Sequence, residues 1–148
     1  MSSENQIHLI GTFRHEEAEA AGDISPGHLV ALDSSGTIVV HATEGGFAAR
    51  AIAEIDPLQG HGLEDDYEDG DIVMANVELP GNECQMFLQA GQNVAIGDLL
   101  ISAGDGTLKE NGEESSGVTV HQIIAVAREA LDLSGSGAVD TLMRVFLL

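Results

Sequence analysis

The residues able to do chemistry here are six histidines, one cysteine and a large excess of carboxylates. His8, His15, His28, His41, His61 and His121 are scattered, with no His-x-His or His-x-x-x-His pair among them. Cys84 has no second cysteine to share a metal, so zinc-type spacing is absent. The acid run Glu64–Asp71 is the natural place for a hard cation. It departs from a calcium loop, because Tyr67 stands where the third position needs Asp or Asn if Asp65 is the first. Gly135-Ser136-Gly137 lacks the third glycine of a dinucleotide site. There is neither a Gly-x-Ser-x-Gly elbow nor a phosphate loop. No pair among the many carboxylates stands out as general acid and base. These readings predict no cofactor, no resident metal and no enzyme.

Charge narrows the partners. The chain has 148 residues, 25 acidic and five basic, for a net charge of −20. The five cations are Arg14, Arg50, Lys109, Arg128 and Arg144. Such a surface repels phosphate, and 3% aromatic content supplies no stacking platform, which excludes nucleic acid as a direct partner. Anionic membrane surfaces are disfavoured for the same reason. Abundant Asp and Glu with a single lysine fit a surface adapted to molar salt, as in a halophilic host. Met1–Gln6 has neither the basic nor the apolar region of a secretory leader, and Cys84 fits a small core hydrophobe.

The elements are expected to be strands. Pro26–Ile38 aligns without a gap on Ile96–Leu108, sharing Gly27/Gly97, Leu29/Leu99, Gly36/Gly106 and Thr37/Thr107. Each copy reads as a glycine turn, an apolar run, a polar glycine turn and a second apolar run, which is β-hairpin grammar. The duplication predicts an all-β domain, a small sandwich or barrel with related halves, carrying at most one or two short helices. Ile7–Arg14 is expected as an edge strand, and His15–Ala21, rich in Glu and Ala, as a short helical turn or irregular link. Alternation predicts a strand over Phe47–Ile55, with an Ala-rich helix as the competing reading. Residues 56–70 read as a long acidic loop with little to bury. Strands follow at Asp71–Leu79 and Glu83–Ala90, then a loop at Glu110–Gly117 and a strand within Val118–Leu131. Ala138–Leu148 is apolar on both faces toward its end, so it is expected to be covered on both sides, a neighbouring subunit being one way to do so.

Three phrases carry a resemblance: Ala21-Gly22-Asp23-Ile24-Ser25-Pro26-Gly27-His28-Leu29-Val30-Ala31-Leu32-Asp33, the later Gly97-Asp98-Leu99-Leu100, and Ala125–Gly137 with its Ala-Leu-Asp and Gly-Ser-Gly. They resemble the capsid decoration (cement) proteins of tailed double-stranded DNA viruses, of the lambda-like head-decoration type. The resemblance covers residues 15–55 and 90–148. It implies a homotrimer on the outside of the virion head, at three-fold and quasi-three-fold sites. Its partner would be the major capsid protein, and its role to hold the expanded head against packaged DNA. The protein would be made in the host cytoplasm. The resemblance further implies an N-terminal arm that orders on the capsid, here Ser2, Ser3, Glu4, Asn5, Gln6, Ile7, His8 and Leu9. On this reading residues 1–14 form arm and edge strand, and 15–148 the decoration domain. The Gly-Asp-Leu hairpin also resembles β-clip-type binding or assembly domains of cellular proteins, which is the alternative.

Overall fold

The computed structural model describes residues 5–119 and 121–148. Among these described residues are thirteen strands and one 3-10 turn at Pro57–Gln59, so the all-β expectation holds. The strands are β1 (His8–Ile10), β2 (Phe13–Glu19), β3 (Leu29–Leu32), β4 (Ile38–Val40), β5 (Ala51–Ala53), β6 (Ile72–Glu78) and β7 (Glu83–Leu88). After them come β8 (Asn93–Val94), β9 (Leu99–Ser102), β10 (Leu108–Glu110), β11 (Ala125–Ala127), β12 (Leu131–Asp132) and β13 (Thr141–Leu147).

Strands β7, β10, β9, β11 and β13 close into a five-stranded barrel, because β13 pairs back onto β7. Strands β2, β6, β5, β3 and β4 form a second sheet that curls until Ala20 bridges Ile38. The two are copies of one another. Hairpin β3–β4 pairs Val30 with Val40 and Leu32 with Ile38, while β9–β10 pairs Leu100 with Glu110 and Ser102 with Leu108. Each position has moved by 70 residues, which is the spacing of the sequence repeat. The correspondence continues around the whole ring. Val30 pairs Ala51 and Ala51 pairs Val77; likewise Leu100 pairs Ala125 and Ala125 pairs Leu147. Even the closure is repeated, as a parallel contact of Ala20 with Ile38 in one ring and of Leu108 with Leu88 in the other. The backbone bonds Ala21 N to Ile38 O (3.0 Å) and Gln89 N to Leu108 O (2.9 Å) match as well. Gly27 and Gly97 take φ of 100° and 93°, and Gly36 and Gly106 take 79° and 85°. These are left-handed conformations that explain why glycine recurs at the turns.

The two rings sit side by side. Leu29 and Ile52, on the first ring, are buried in the same cluster as Met86, Leu100, Met143 and Val145 of the second. His41, just after β4, clips them together by facing Ser102 Oγ at 2.7 Å and donating from Nε2 to the Phe47 carbonyl at 2.8 Å. Tyr67 and Ile24 plug one end of the first ring, bridging each other, and the Tyr67 hydroxyl donates to the Glu54 carbonyl at 2.6 Å. Burial pushes that phenol up to about 12.

Several sequence expectations change. His15–Ala21 is not a helical turn: β2 runs Phe13–Glu19 along β6 in seven consecutive pairs, and this ladder overrides the helix propensity of Glu and Ala. That strand also crosses the boundary drawn at residue 14. Within Phe47–Ile55 only Ala51–Ala53 is strand. The acidic loop does bury something, namely Asp56 and Tyr67. Strand β13 is covered within the chain. Met143, Val145 and Leu147 fill the barrel, while Leu142 lies against Gly27 and the Arg128 guanidinium sits 4.6 Å above the Phe146 ring. A neighbouring subunit is not needed to cover those positions.

Candidate functional site

Of the residues assigned to the N-terminal arm, Ser2, Ser3 and Glu4 lie outside the described residues. Asn5 and Gln6 are exposed, His8 and Leu9 are partly buried, and Ile7 is fully buried in the cluster that the two rings share, with its Cδ1 close to Gly27. The Ile7 side chain is therefore spent inside the molecule. Its strand is an added edge: Gln85 N donates to Ile7 O at 2.8 Å, and β1 pairs with β7 through His8 and Cys84.

Two carboxylates hold this strand in place. Glu54 accepts from Ile7 N (3.1 Å), His8 N (2.9 Å), Ile55 N (2.9 Å) and Asn76 Nδ2 (3.1 Å). Glu78, whose side chain is fully enclosed, faces His8 Nδ1 at 2.8 Å and accepts from Asn82 Nδ2 at 2.6 Å. His8 Nε2 in turn faces the Gly11 carbonyl at 3.0 Å. The network locks the first strand onto both rings at once. Sequence reasoning missed Glu54 and Glu78, since nothing distinguishes them among 25 acidic residues.

The same corner carries exposed apolar surface. Ile10 and Phe13 flank the link between β1 and β2, and Leu79 opens the turn between β6 and β7; all three are substantially exposed. Asn82 joins the two links by donating to the Thr12 carbonyl at 2.7 Å. Elsewhere the surface is acidic without cationic relief, because all five basic residues are engaged within the chain. Arg14 pairs with Glu16, Lys109 with Glu44, Arg128 and Arg144 both with Glu83, and Arg50 donates to the Leu148 carbonyl. The bond from Arg144, aided by Arg128, holds the Glu83 carboxyl below its usual range.

Apart from His61, whose buried Nδ1 meets no partner among the described residues, the histidines serve local structure. His28 accepts from Ser25 N at Nδ1 (3.1 Å) and packs on Phe87, and His121 stacks on Phe47. Burial holds His28 below the ordinary histidine value, while Asp105, Asp66 and Asp140 pull the other way. Protonation would set a ring N–H against the Ser25 N–H. Since the folded value is depressed, stability is complete above about pH 6.5 and declines as pH falls from there toward the folded value. The difference between wild type and His28→Gln in urea midpoint should therefore shrink as the pH is taken from 7.5 to about 5.5. A constant difference would remove His28 from the pH response. Cys84 is buried, which pushes its thiol up and leaves it a core residue.

No family profile and no curated protein matches this chain. A solved structure does: the N base of head fiber gp8.5 in bacteriophage phi29, with a TM-score of 0.56. The alignment covers 93% of this chain and 95% of that one, at 16% identity. The chain has the fold of a phage head-fiber base. Coverage this complete takes in both rings and their joint, so the likeness is to the whole arrangement and not to one barrel.

Proposed function

We propose that this chain is a structural virion protein, without catalytic activity, that seats on the outer surface of a tailed-phage head. The observation carrying this is the likeness, over nearly the full length of both chains, to the base of a phage head fiber. The chemistry agrees with it. Five of the six histidines are tied into local structure, and the acidic surface with its engaged cations disfavours nucleic acid. Beside the N-terminal residues lies an exposed apolar corner of Ile10, Phe13 and Leu79 suited to a protein contact.

In this reading the chain binds the major capsid protein as a homotrimer at three-fold and quasi-three-fold sites and reinforces the expanded head. Many modest contacts repeated across a lattice sum to durable attachment. The test is co-sedimentation of purified protein with undecorated, expanded heads in molar KCl. Saturable binding is expected. Deleting Ser2–Gln6 should weaken it with the fold intact, since Ile7 and its bonds to Glu54 remain. Absence of binding across salt conditions would overturn the reading and favour the β-clip-type alternative. The halophilic origin is tested separately by melting, which should move upward from dilute to molar KCl; a flat or falling trend excludes it.

A further inference from the structure

The two rings differ at one place that matters. In the closed barrel, β7 and β10 touch at Leu88 and Leu108 and splay apart from there, and the gap is filled. The outward N–H of Gln85 finds Ile7 O, that of Phe87 finds Gly27 O, and the Ile7 side chain is buried in the joint between the rings, beside Gly27. In the first ring, β2 and β4 touch at Ala20 and Ile38 and splay in the same way. There no described residue fills the gap. The bond from Ala20 N to Asp71 O turns the even-numbered positions of β2 toward β6, so His15, Glu17 and Glu19 point their backbone outward. By the ring correspondence Glu17 and Glu19 stand where Gln85 and Phe87 stand. Among the described residues no acceptor meets the Glu17 N–H.

Behind this gap lies a cavity of about 370 Å3, lined by Val30, Ile38, Ala51, Ala75 and Val77, with Arg14, Glu16 and Leu32 at its mouth. The filled twin explains why it is hollow. Where the first ring has Ala18, Ala20, Val30, Ala75 and Val77, the closed barrel has Met86, Leu88, Leu100, Val145 and Leu147. One ring is packed and its copy is short of side-chain volume beside an unpaired edge.

We propose that the gap between β2 and β4 accepts an extended segment of a partner polypeptide, antiparallel to β2, with one aliphatic side chain seated in the cavity. Its backbone would repeat in the first ring the pairing that Gln6–Ile10 makes with β7 in the second. Its chemistry follows from the exposed side of β2, where Glu17 and Glu19 call for lysine or arginine flanking the aliphatic residue, Glu16 being already paired with Arg14. A second copy of this chain is a poor donor, since its net charge is −20 and its five cations are already engaged.

A capped peptide, Lys-Leu-Lys-Ile-Lys-Leu, titrated into the isolated full chain tests this whether or not the protein binds heads. Saturable binding is expected, with amide exchange slowed at His15 and Glu17. Glu17→Pro removes the outward N–H at an edge position that tolerates proline, and should weaken binding about tenfold. Ala75→Val with Val77→Leu keeps the edge but fills the cavity, and should weaken binding independently of any folding defect in the proline variant. The proposal is overturned if binding is absent, if it is equally tight to both variants, or if a capped Glu-Leu-Glu-Ile-Glu-Leu peptide binds as well.

Discussion

Glu54→Ala is expected to cost about 2–4 kcal/mol in urea unfolding, a large effect for a single partly buried side chain. The reason is the number of groups it satisfies: three backbone N–H donors and the Asn76 amide converge on one carboxylate. Removing it strands donors that water reaches poorly, and it unties the first strand from the ring that Glu54 belongs to. The loss should be local before it is global. Exchange at Gln85 N, bonded to Ile7 O, should rise well above wild type, while Ala21 N, bonded to Ile38 O, stays protected. Glu54→Gln keeps an acceptor and should recover part of the stability. An unchanged midpoint in Glu54→Ala would mean that the strand is held by Ile7 burial alone and that the carboxylate is dispensable.

This dependence on unremarkable residues marks the limit of what the chain discloses as a string. Both hairpins were legible because their turns need positive φ, and Gly27, Gly36, Gly97 and Gly106 announce it by type. The spacing of 70 residues between them is a true structural period, preserved pair by pair. The rest of the duplication was hidden. Strand β2 reads Phe-Arg-His-Glu-Glu-Ala-Glu, while its counterpart β7 reads Glu-Cys-Gln-Met-Phe-Leu, two sequences with no evident likeness. What the two strands share is position in a ladder, and a ladder constrains backbone more than side chains. The misassignment of His15–Ala21 has the same cause, for local propensity points to helix and the partner strand decides otherwise. In the arm, the sequence marks Ile7 as the start of an edge strand but not as core, and it is buried because β7 offers an edge there and Glu54 offers acceptors, both remote in sequence.

Because the rings are copies, exchanging residues between them should move stability in opposite directions. Val30→Leu, Ala75→Val and Val77→Leu place the closed barrel's side chains in the first ring, at three positions that line the cavity. At ~0.8 kcal/mol per buried methylene the triple change approaches 3 kcal/mol of added stability in the limit of perfect filling. That corresponds to a rise in Tm on the order of 6–12 °C for a chain of this size. The reciprocal set, Leu100→Val, Val145→Ala and Leu147→Val, opens a hollow in a core whose residues are fully buried. It should cost about 3–5 kcal/mol, the transfer loss plus the void left behind. Thermal and urea unfolding of the two triple variants measure both signs. A first-ring triple that destabilises would mean its walls cannot take larger rotamers, as overpacking typically costs about 1–3 kcal/mol. The space would then be a groove shaped by the backbone. A gain in stability would instead mean that natural side chains leave this ring underfilled at an expense that its packed twin does not bear, which is what a socket kept open for another chain requires.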